Sequence, residues 1–300
     1  MARLYIALIG LSLIWGMSFV FIKWLVDPVG VWGTVFLRCL AGALVLLPIF
    51  FRQRRKAEKK PLPLWKLFVV GIGNAALPWT LIALSETQIN SNTASILNAT
   101  TPIWTGLVGF LLFSVVLTSF QWVGIITGFF GILVLMNFEV SGIFSSDFVG
   151  VGTMVSATLC YAFTSQFTKK YLAGTSVVVI STFQLLIGAG VGFVGMLMTS
   201  PISMGSLLSG EVILGIIGLG CFGSGVATLL YFYIMTKGSP EFASTVTYLI
   251  PGTAMIWGFL LLGESVTPNL LLGLLIIFVG VFLSSRKSKK VISSLRVGMR

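Results

Sequence analysis

Ten long apolar runs follow one another along this sequence, separated by short segments that hold most of its charged residues. A helix that crosses a bilayer needs about 20 mostly apolar residues, because hydrocarbon offers no water to an exposed backbone. Only 9% of the 300 residues are charged, against roughly 25% in soluble domains, which is too few for a water-facing surface of this size. The runs predict an all-α membrane protein with ten transmembrane helices, at Leu4–Val26, Trp32–Phe51, Leu64–Leu84, Thr93–Phe113, Phe120–Met136, Phe148–Phe167, Val177–Met198, Val212–Met235, Phe242–Leu262 and Leu270–Ser285.

The first run is expected to stay in the membrane as a spanning helix. It continues to Val26, which is longer than the apolar core of a signal peptide, and no A-x-A-like cleavage site follows it.

The basic residues predict the orientation of the chain in the membrane. With the N-terminus inside, all 19 basic residues except Lys23 and Arg38 fall in cytoplasmic segments. The positive-inside rule then places both termini in the cytoplasm, in a multi-pass protein of the plasma membrane. The basic tail 286–300 is read as orienting charge that needs no specific partner, with contact to anionic lipid as the alternative. The opposite loops carry acidic residues only, namely Asp27, Glu86, Glu139, Asp147, Glu211 and Glu264.

Residues that commonly carry enzyme chemistry or bind metals are scarce in this chain. There is no histidine, and Cys39, Cys160 and Cys221 lie in apolar runs without a C-x-x-C pair, so we expect no cofactor, zinc site or disulfide. No acidic pair lies deep in a run, which argues against a membrane enzyme. The net charge of +11 comes from basic residues that cluster in the predicted cytoplasmic segments, so it does not indicate a nucleic-acid partner. The expected partners are therefore a small-molecule substrate and the lipid bilayer, and not nucleic acid.

The two halves of the sequence match each other at a nearly constant spacing. Pro102, Gly124 and Gly131 fall on Pro251, Gly273 and Gly280 at one spacing, and Trp15, Arg38 and Gly42 fall on Tyr161, Gln184 and Gly188 at another. Because five is an odd number, a five-helix repeat enters the membrane from the opposite side the second time. The sequence thus predicts an inverted repeat, a design typical of transporters, with halves at 1–138 and 148–285 followed by the tail 286–300.

Several motifs resemble those of a known family. They are Ile14-Trp15-Gly16 with Phe19 and Lys23, then Phe36-Leu37-Arg38, and the string Leu261-Leu262-Gly263-Glu264-Ser265-Val266-Thr267-Pro268 followed by Leu272-Gly273 and Gly280-Val281. The chain resembles the drug/metabolite transporter superfamily, in particular its bacterial EamA-type members, over residues 1 to 285. The resemblance implies a ten-helix carrier that works by alternating access and exports amino acids, related metabolites or drugs. Many relatives carry Gly-Glu in both halves, whereas the first half here has Ser114-Val115, which puts any role that needs both carboxylates in doubt.

Two repeat-related prolines point to a binding site. Pro102 and Pro251 each lie about 13 Å into their runs, near the membrane midplane. A proline frees the carbonyl four residues earlier, which here belongs to Asn98 or Thr247. Paired interruptions of this kind mark the substrate site of many carriers, although a plain packing kink is the alternative.

A stripe on the first helix and its repeat on the sixth supply further candidates. Ser12, Trp15 and Ser18 lie roughly on one helix face, and Thr158, Tyr161 and Thr164 repeat them. An aromatic ring flanked by hydroxyls suits an amphipathic ligand, and contact between helices through small polar residues is the alternative. Weaker cavity candidates are Asn74, Trp79, Tyr231 and Tyr248.

Buried or terminal charges are given structural or gating roles. Arg38 is expected to bond freed carbonyls or helix ends, with binding of a substrate carboxylate as the alternative. Its repeat partner Gln184, and Glu86 and Glu264 at helix ends, are placed in the same class. Since every acidic residue lies in a loop or at a helix end, no midplane carboxylate is expected to carry a driving proton. The alternative is proton coupling through Glu86 or Glu264 at the outer side.

The sequence therefore predicts an exporter of small amphipathic metabolites. Cargo that is neutral or zwitterionic is favoured, because phosphates want several cations and only Arg38 lies deep. The alternatives are a sugar-phosphate or nucleotide-sugar carrier, and a non-transporting scaffold or lipid translocator.

Overall fold

A computed structural model describes residues 2–56, 61–135, 146–199, 202, 204–238, 242–243 and 245–284. These ranges are helical and contain no strand, which confirms the prediction of an all-α protein. The run Ala2–Lys56 forms α1 (2–29) and α2 (31–56). The remaining long helices are α3 (Leu64–Glu86), α4 (Ser91–Phe113), α5 (Ser119–Leu135), α6 (Ser146–Tyr171), α7 (Val177–Thr199), α8 (Gly210–Lys237), α9 (Val246–Leu262) and α10 (Pro268–Ser284).

Six of these runs are long and apolar enough to cross a membrane: Ala2–Arg55, Leu64–Glu86, Ser91–Phe113, Phe148–Tyr171, Val177–Thr199 and Gly210–Lys237. Helices α5, α9 and α10 are equally apolar but have 17 residues each. Each predicted run overlaps one of the described helices. The predicted ends at Met136 and Ser285, the loop residue Glu139 and the tail 286–300 lie outside the described residues.

The first helical run folds back on itself at a glycine. Gly30 has φ 72° and ψ 172°, a conformation that only glycine adopts at little cost. Trp15 on α1 and Arg38 on α2 reach neighbouring residues of α8, so the two arms lie side by side. The helix continues through Pro28 and turns two residues later, at Gly30. A proline in the last helical turn removes one hydrogen bond but does not by itself reverse the chain.

Several helices depart from regular α geometry in their middle. α4 is interrupted between Asn98 and Thr101, and Pro102 lies at the start of its second piece. α9 stays helical through Pro251. α3 and α8 contain π-helical segments at Ile72–Ala76 and Ile216–Val226. Such segments often occur at functional sites, because the wider turn redirects side chains and leaves backbone groups open to other partners.

Glycines bring helix backbones close together. A Cβ added to Gly131 on α5 would lie 2.9 Å from the backbone nitrogen of Ile277 on α10, and one added to Gly280 would lie 2.6 Å from the nitrogen of Gly128. On α7, a Cβ on Gly192 would lie 2.7 Å from the nitrogen of Phe36. These helix backbones can therefore approach this closely only because glycine has no side chain at the contact.

Contacts between loops and helix ends define the two ends of the bundle. At one end, Lys66 Nζ donates to the Tyr171 carbonyl at 3.2 Å and Ser176 Oγ donates to Gln53 Oε1 at 3.3 Å; we call this the Lys66 end. At the other, Glu264 accepts from the backbone of Ser91 at 2.7 Å; we call this the Glu264 end.

Candidate substrate cavity

A cavity of about 320 Å³ lies inside the bundle, and eight of the helices, α1 to α4 and α6 to α9, contribute to its wall. A larger depression of about 580 Å³ lies between Phe68, Leu112 and Phe163, but its lining is apolar and lacks groups that would orient a ligand. The inner cavity brings together most of the predicted site residues: Trp15, Ser18, Arg38, Asn74, Trp79, Asn98, Tyr161, Gln184 and Thr247.

Trp15 is held in place at the cavity wall by α8. Its ring nitrogen donates to the carbonyl of Gly223 at 3.1 Å, within the π-helical segment of α8. Its ring lies 5.7 Å from that of Tyr231. Tyr231 itself does not line the cavity. Trp15 therefore forms an aromatic part of the cavity wall, and Tyr231 packs behind it.

Arg38 is the one basic residue in the cavity wall as the structure describes it. Its Nε donates to Ser224 Oγ at 2.9 Å, and its guanidinium carbon lies 3.7 Å from the centre of the Trp79 ring. The side chain is buried, with 9% of its surface exposed. Among the described residues, no acidic side chain lines the cavity. The guanidinium thus has a hydrogen-bond acceptor and an aromatic face, and its charge is not balanced within the wall.

A second polar contact crosses the same cavity. Asn74 Nδ2 donates to Gln184 Oε1 at 2.9 Å. Asn74 lies in the π-helical segment of α3, and Gln184 is the residue that the predicted repeat matches to Arg38. The two contacts link α2 to α8 and α3 to α7. Each of them involves one residue of a π-helical segment, Ser224 in α8 and Asn74 in α3.

The surroundings of the two prolines differ from the prediction in one respect. The Asn98 carbonyl already accepts a hydrogen bond from Thr101 Oγ1 at 2.7 Å, so the interruption before Pro102 does not leave it free. The buried acceptor without a partner in the described structure is the side-chain Oδ1 of Asn98. Thr247 lines the cavity, whereas neither proline does; Pro251 is buried and Pro102 is half-buried.

Two other candidates lie away from the cavity. Thr164 donates to the carbonyl of Cys160 at 2.7 Å and packs against Gly73. Tyr248 packs against Phe278, with ring centres 5.8 Å apart. Sequence reasoning also missed several lining residues, which are Phe19, Ile22, Ile82, Thr101, Gly223, Ser224, Thr228 and Ile250. Ser224 could have been found from its place among the closely spaced glycines of α8, which let another helix approach.

Buried polar groups close the Glu264 end. The Glu264 carboxylate accepts from the backbone nitrogens of Ser91 and Asn92, at 2.7 Å and 3.0 Å, and from Ser91 Oγ at 3.0 Å. It therefore caps the N-terminus of α4, where a negative charge is favourable. Lys23 on α1 donates to the carbonyls of Glu86 and Ile89 at the end of α3. Glu86 and Ser91 have no exposed surface.

Apolar helices of membrane length around a cavity with convergent polar groups are typical of a membrane transport protein. The chain belongs to the EamA-like transporter family, whose model matches residues 2–137 and 148–286.

Proteins of similar sequence are also described as transporters. The uncharacterized transporter YoaV of Bacillus subtilis is 22% identical over 95% of this chain and 97% of its own length. The uncharacterized inner membrane transporter YedA of Escherichia coli is 27% identical over 88% of this chain and 84% of its own. A crystal structure with a TM-score of 0.65 and 14% identity covers 99% of both chains, which shows a shared fold.

Proposed function

We propose that this transporter exports small amphipathic metabolites, amino acids or related compounds and drugs, across the plasma membrane by alternating access. The observation that carries this proposal is the cavity of about 320 Å³ that is lined by helices of both proposed halves. Carriers bind cargo near the midplane between two such halves. In this proposal both termini are cytoplasmic, all ten predicted runs cross the membrane, and the Glu264 end faces outside.

Reciprocal contacts support the inverted repeat. A Cβ on Gly188 would lie 2.6 Å from Cys39 Sγ, and one on Gly42 would lie 3.2 Å from Leu185 Cδ1. The spacing of 146 residues converts one contact into the other, as expected of two halves related by a two-fold axis.

Local geometry repeats as well. Val115 N donates to the Gly109 carbonyl at 3.0 Å, and Glu264 N donates to that of Gly258 at 3.1 Å. Ser114 and Gly263 end the two helices, and their φ angles are 56° and 66°. A shift of 149 residues along the chain converts the first contact into the second. Together with the two matches to the family model, this supports halves at 1–138 and 148–285.

The cavity favours cargo with a carboxylate and an apolar body. The buried charge of Arg38 offers N–H donors in the planar geometry that suits a carboxylate. Trp15, Trp79 and Tyr161 can cover apolar bulk. Asn98 Oδ1 is an acceptor for an amine. One basic residue in the wall is too few for a sugar phosphate or nucleotide sugar, whose phosphates want several cations.

Alternating access requires that one end be closed while the other admits cargo. In this proposal the Glu264 end is the closed end, because Glu86, Ser91 and Asn92 there have no exposed surface. With the proposed orientation, the molecule is therefore closed to the outside. Opening of the Glu264 end would release the cargo.

The test is exchange of radiolabelled amino acids across liposomes that contain the purified protein. We expect counterflow with amino acids that have large apolar side chains and none with sugar phosphates. Replacement of Trp15 by Ala should weaken this flux, whereas Trp122→Ala, in α5 and away from the cavity, should not. Equal flux by both variants at equal reconstitution would show that the Trp15 wall only packs. No flux with the whole panel, and no flux of lipid probes, would favour a non-transporting scaffold.

A further inference from the structure

Glu86 carries a buried carboxyl group that does not line the cavity. It is the last residue of α3 and has no exposed surface. Neither of its carboxyl oxygens has a hydrogen-bond partner in the described structure. The sequence placed it at a helix end facing water. The tertiary structure instead closes α1, α4 and the turn after α9 around that end.

The charged groups that face Glu86 come from three other elements. Lys23 projects from α1, Arg38 from α2 and Glu264 from the turn after α9. Lys23 directs its ammonium group to the backbone carbonyls of Glu86 and Ile89. Glu264 already accepts from Ser91 and Asn92. Neither Lys23 nor Glu264 forms a hydrogen bond with the Glu86 carboxyl group in the described structure.

An ionised carboxylate is poorly accommodated in this position. Burial of a charge without hydrogen-bond donors is so unfavourable that such a group normally becomes neutral instead. The position at the C-terminus of α3 adds to this, because the dipole of a helix disfavours negative charge there. The positive charges of Lys23 and Arg38 favour the ionised form and the negative charge of Glu264 opposes it, but burial has the largest effect and favours the neutral form.

A metal ion does not solve the problem. The described residues contain no group of three or more acidic, histidine or cysteine side chains that could hold one. The ammonium group of Lys23 at the same place would also repel a metal cation. A proton is the one cation that binds directly to a carboxyl oxygen and needs no further ligands.

We propose that Glu86 is a proton-binding site that is occupied while the Glu264 end is closed. The proton forms an O–H bond with one Glu86 oxygen. When α1, α3 and α4 separate, water enters, this O–H bond breaks, and the proton passes to external water as the carboxylate is hydrated. One proton is bound on each closure and one is released on each opening. The link to cargo release rests on the proposed function, whereas protonation of the closed state does not.

Infrared spectroscopy of the purified full chain in lipid nanodiscs tests the site without any cargo. At pH 7, exposed glutamates are ionised, because their usual pKa is about 4.3. We expect a C=O stretch band of a protonated carboxyl group that shifts in heavy water and is lost in Glu86→Gln. Gln is neutral and of similar size, so this variant should fold. The matched control is Glu211→Gln, because Glu211 is exposed in the first turn of α8, and it should keep the band.

A second measurement links the site to movement. The pH outside the liposomes is varied while counterflow of a transported amino acid is followed. Counterflow by the wild-type protein and Glu211→Gln should vary with pH, and counterflow by Glu86→Gln should not. A wild-type protein without the band, or a band that persists in Glu86→Gln, would overturn the proposal. A band with the expected behaviour but no flux with any cargo would uphold the proton site and count against the transport function instead.

Discussion

The guanidinium carbon of Arg38 lies 3.7 Å from the centre of the Trp79 ring. This contact joins α2 to α3, and the hydrogen bond from Arg38 to Ser224 adds α8. Cation–π contacts gain strength when they are shielded from water, and both side chains are buried. The position of the charge is therefore fixed before any cargo arrives, which lowers the ordering cost of binding.

Removal of this charge should weaken binding of cargo that carries a carboxylate. A hydrogen bond to a charged group contributes roughly 1.5–3 kcal/mol, so Arg38→Gln is expected to raise the dissociation constant about 10- to 100-fold. Arg38→Lys should recover part of the loss, because a lysine keeps the charge but lacks the planar donor pair. Isothermal titration with an amino acid and with its amide separates the effects, since only the acid should respond. The control is Lys237→Gln, which changes an exposed residue at the C-terminus of α8. An unchanged affinity in Arg38→Gln would show that the residue is structural.

Loss of the Glu264 carboxylate should destabilise the closed Glu264 end. Glu264→Ala leaves the buried backbone N–H groups of Ser91 and Asn92 without their acceptor, at a cost of about 1–3 kcal/mol. We expect a lower melting temperature in detergent and faster labelling of a Ser95→Cys variant, whose position has no exposed surface in the closed state. Glu211→Ala, which removes an exposed carboxylate in α8, should change neither. Unaltered melting and labelling in Glu264→Ala would mean that the cap is dispensable.

Two glycine replacements should have opposite effects on stability. A Cβ on Gly131 meets the backbone nitrogen of Ile277 at 2.9 Å, so Gly131→Ala forces α5 and α10 apart and should cost about 1–3 kcal/mol. Gly152 in α6 has nothing within 4 Å of its added Cβ, and Gly152→Ala should stabilise the helix by about 0.5–1 kcal/mol. Thermal unfolding of both variants in the same detergent measures the difference. Equal melting temperatures would count against the close packing of α5 on α10.

Thiol labelling of intact cells should reveal the orientation of the chain. In a background in which the three cysteines are replaced by alanine, Gln53→Cys and Thr87→Cys each add one exposed thiol, at the Lys66 end and the Glu264 end respectively. A membrane-impermeant reagent is expected to modify Thr87→Cys only, because the basic segments should remain inside. Permeabilised cells should show modification of both. The reverse pattern in intact cells would place the termini outside.

Local features of the sequence were sufficient for the helices and for much of the cavity. Apolarity over about 20 residues depends on the run itself, which is why each predicted run overlaps a described helix, although six of the described runs are long and apolar enough to cross a membrane. The predicted repeat matched Trp15 to Tyr161 and Arg38 to Gln184 from the sequence alone, and all four line the cavity. A helical stripe shows which residues share a face, so the residues near the midplane could be grouped.

The partners of those residues were decided by the tertiary structure. Arg38 and Ser224 lie 186 positions apart and Glu264 and Ser91 lie 173 apart, and helical periodicity carries no information about which distant face packs opposite. The same holds for burial: Glu86 ends a helix beside a loop in the sequence, yet neighbouring elements close over it. Whether a polar group meets water or a partner depends on the atoms around it, and those come together only when the helices pack.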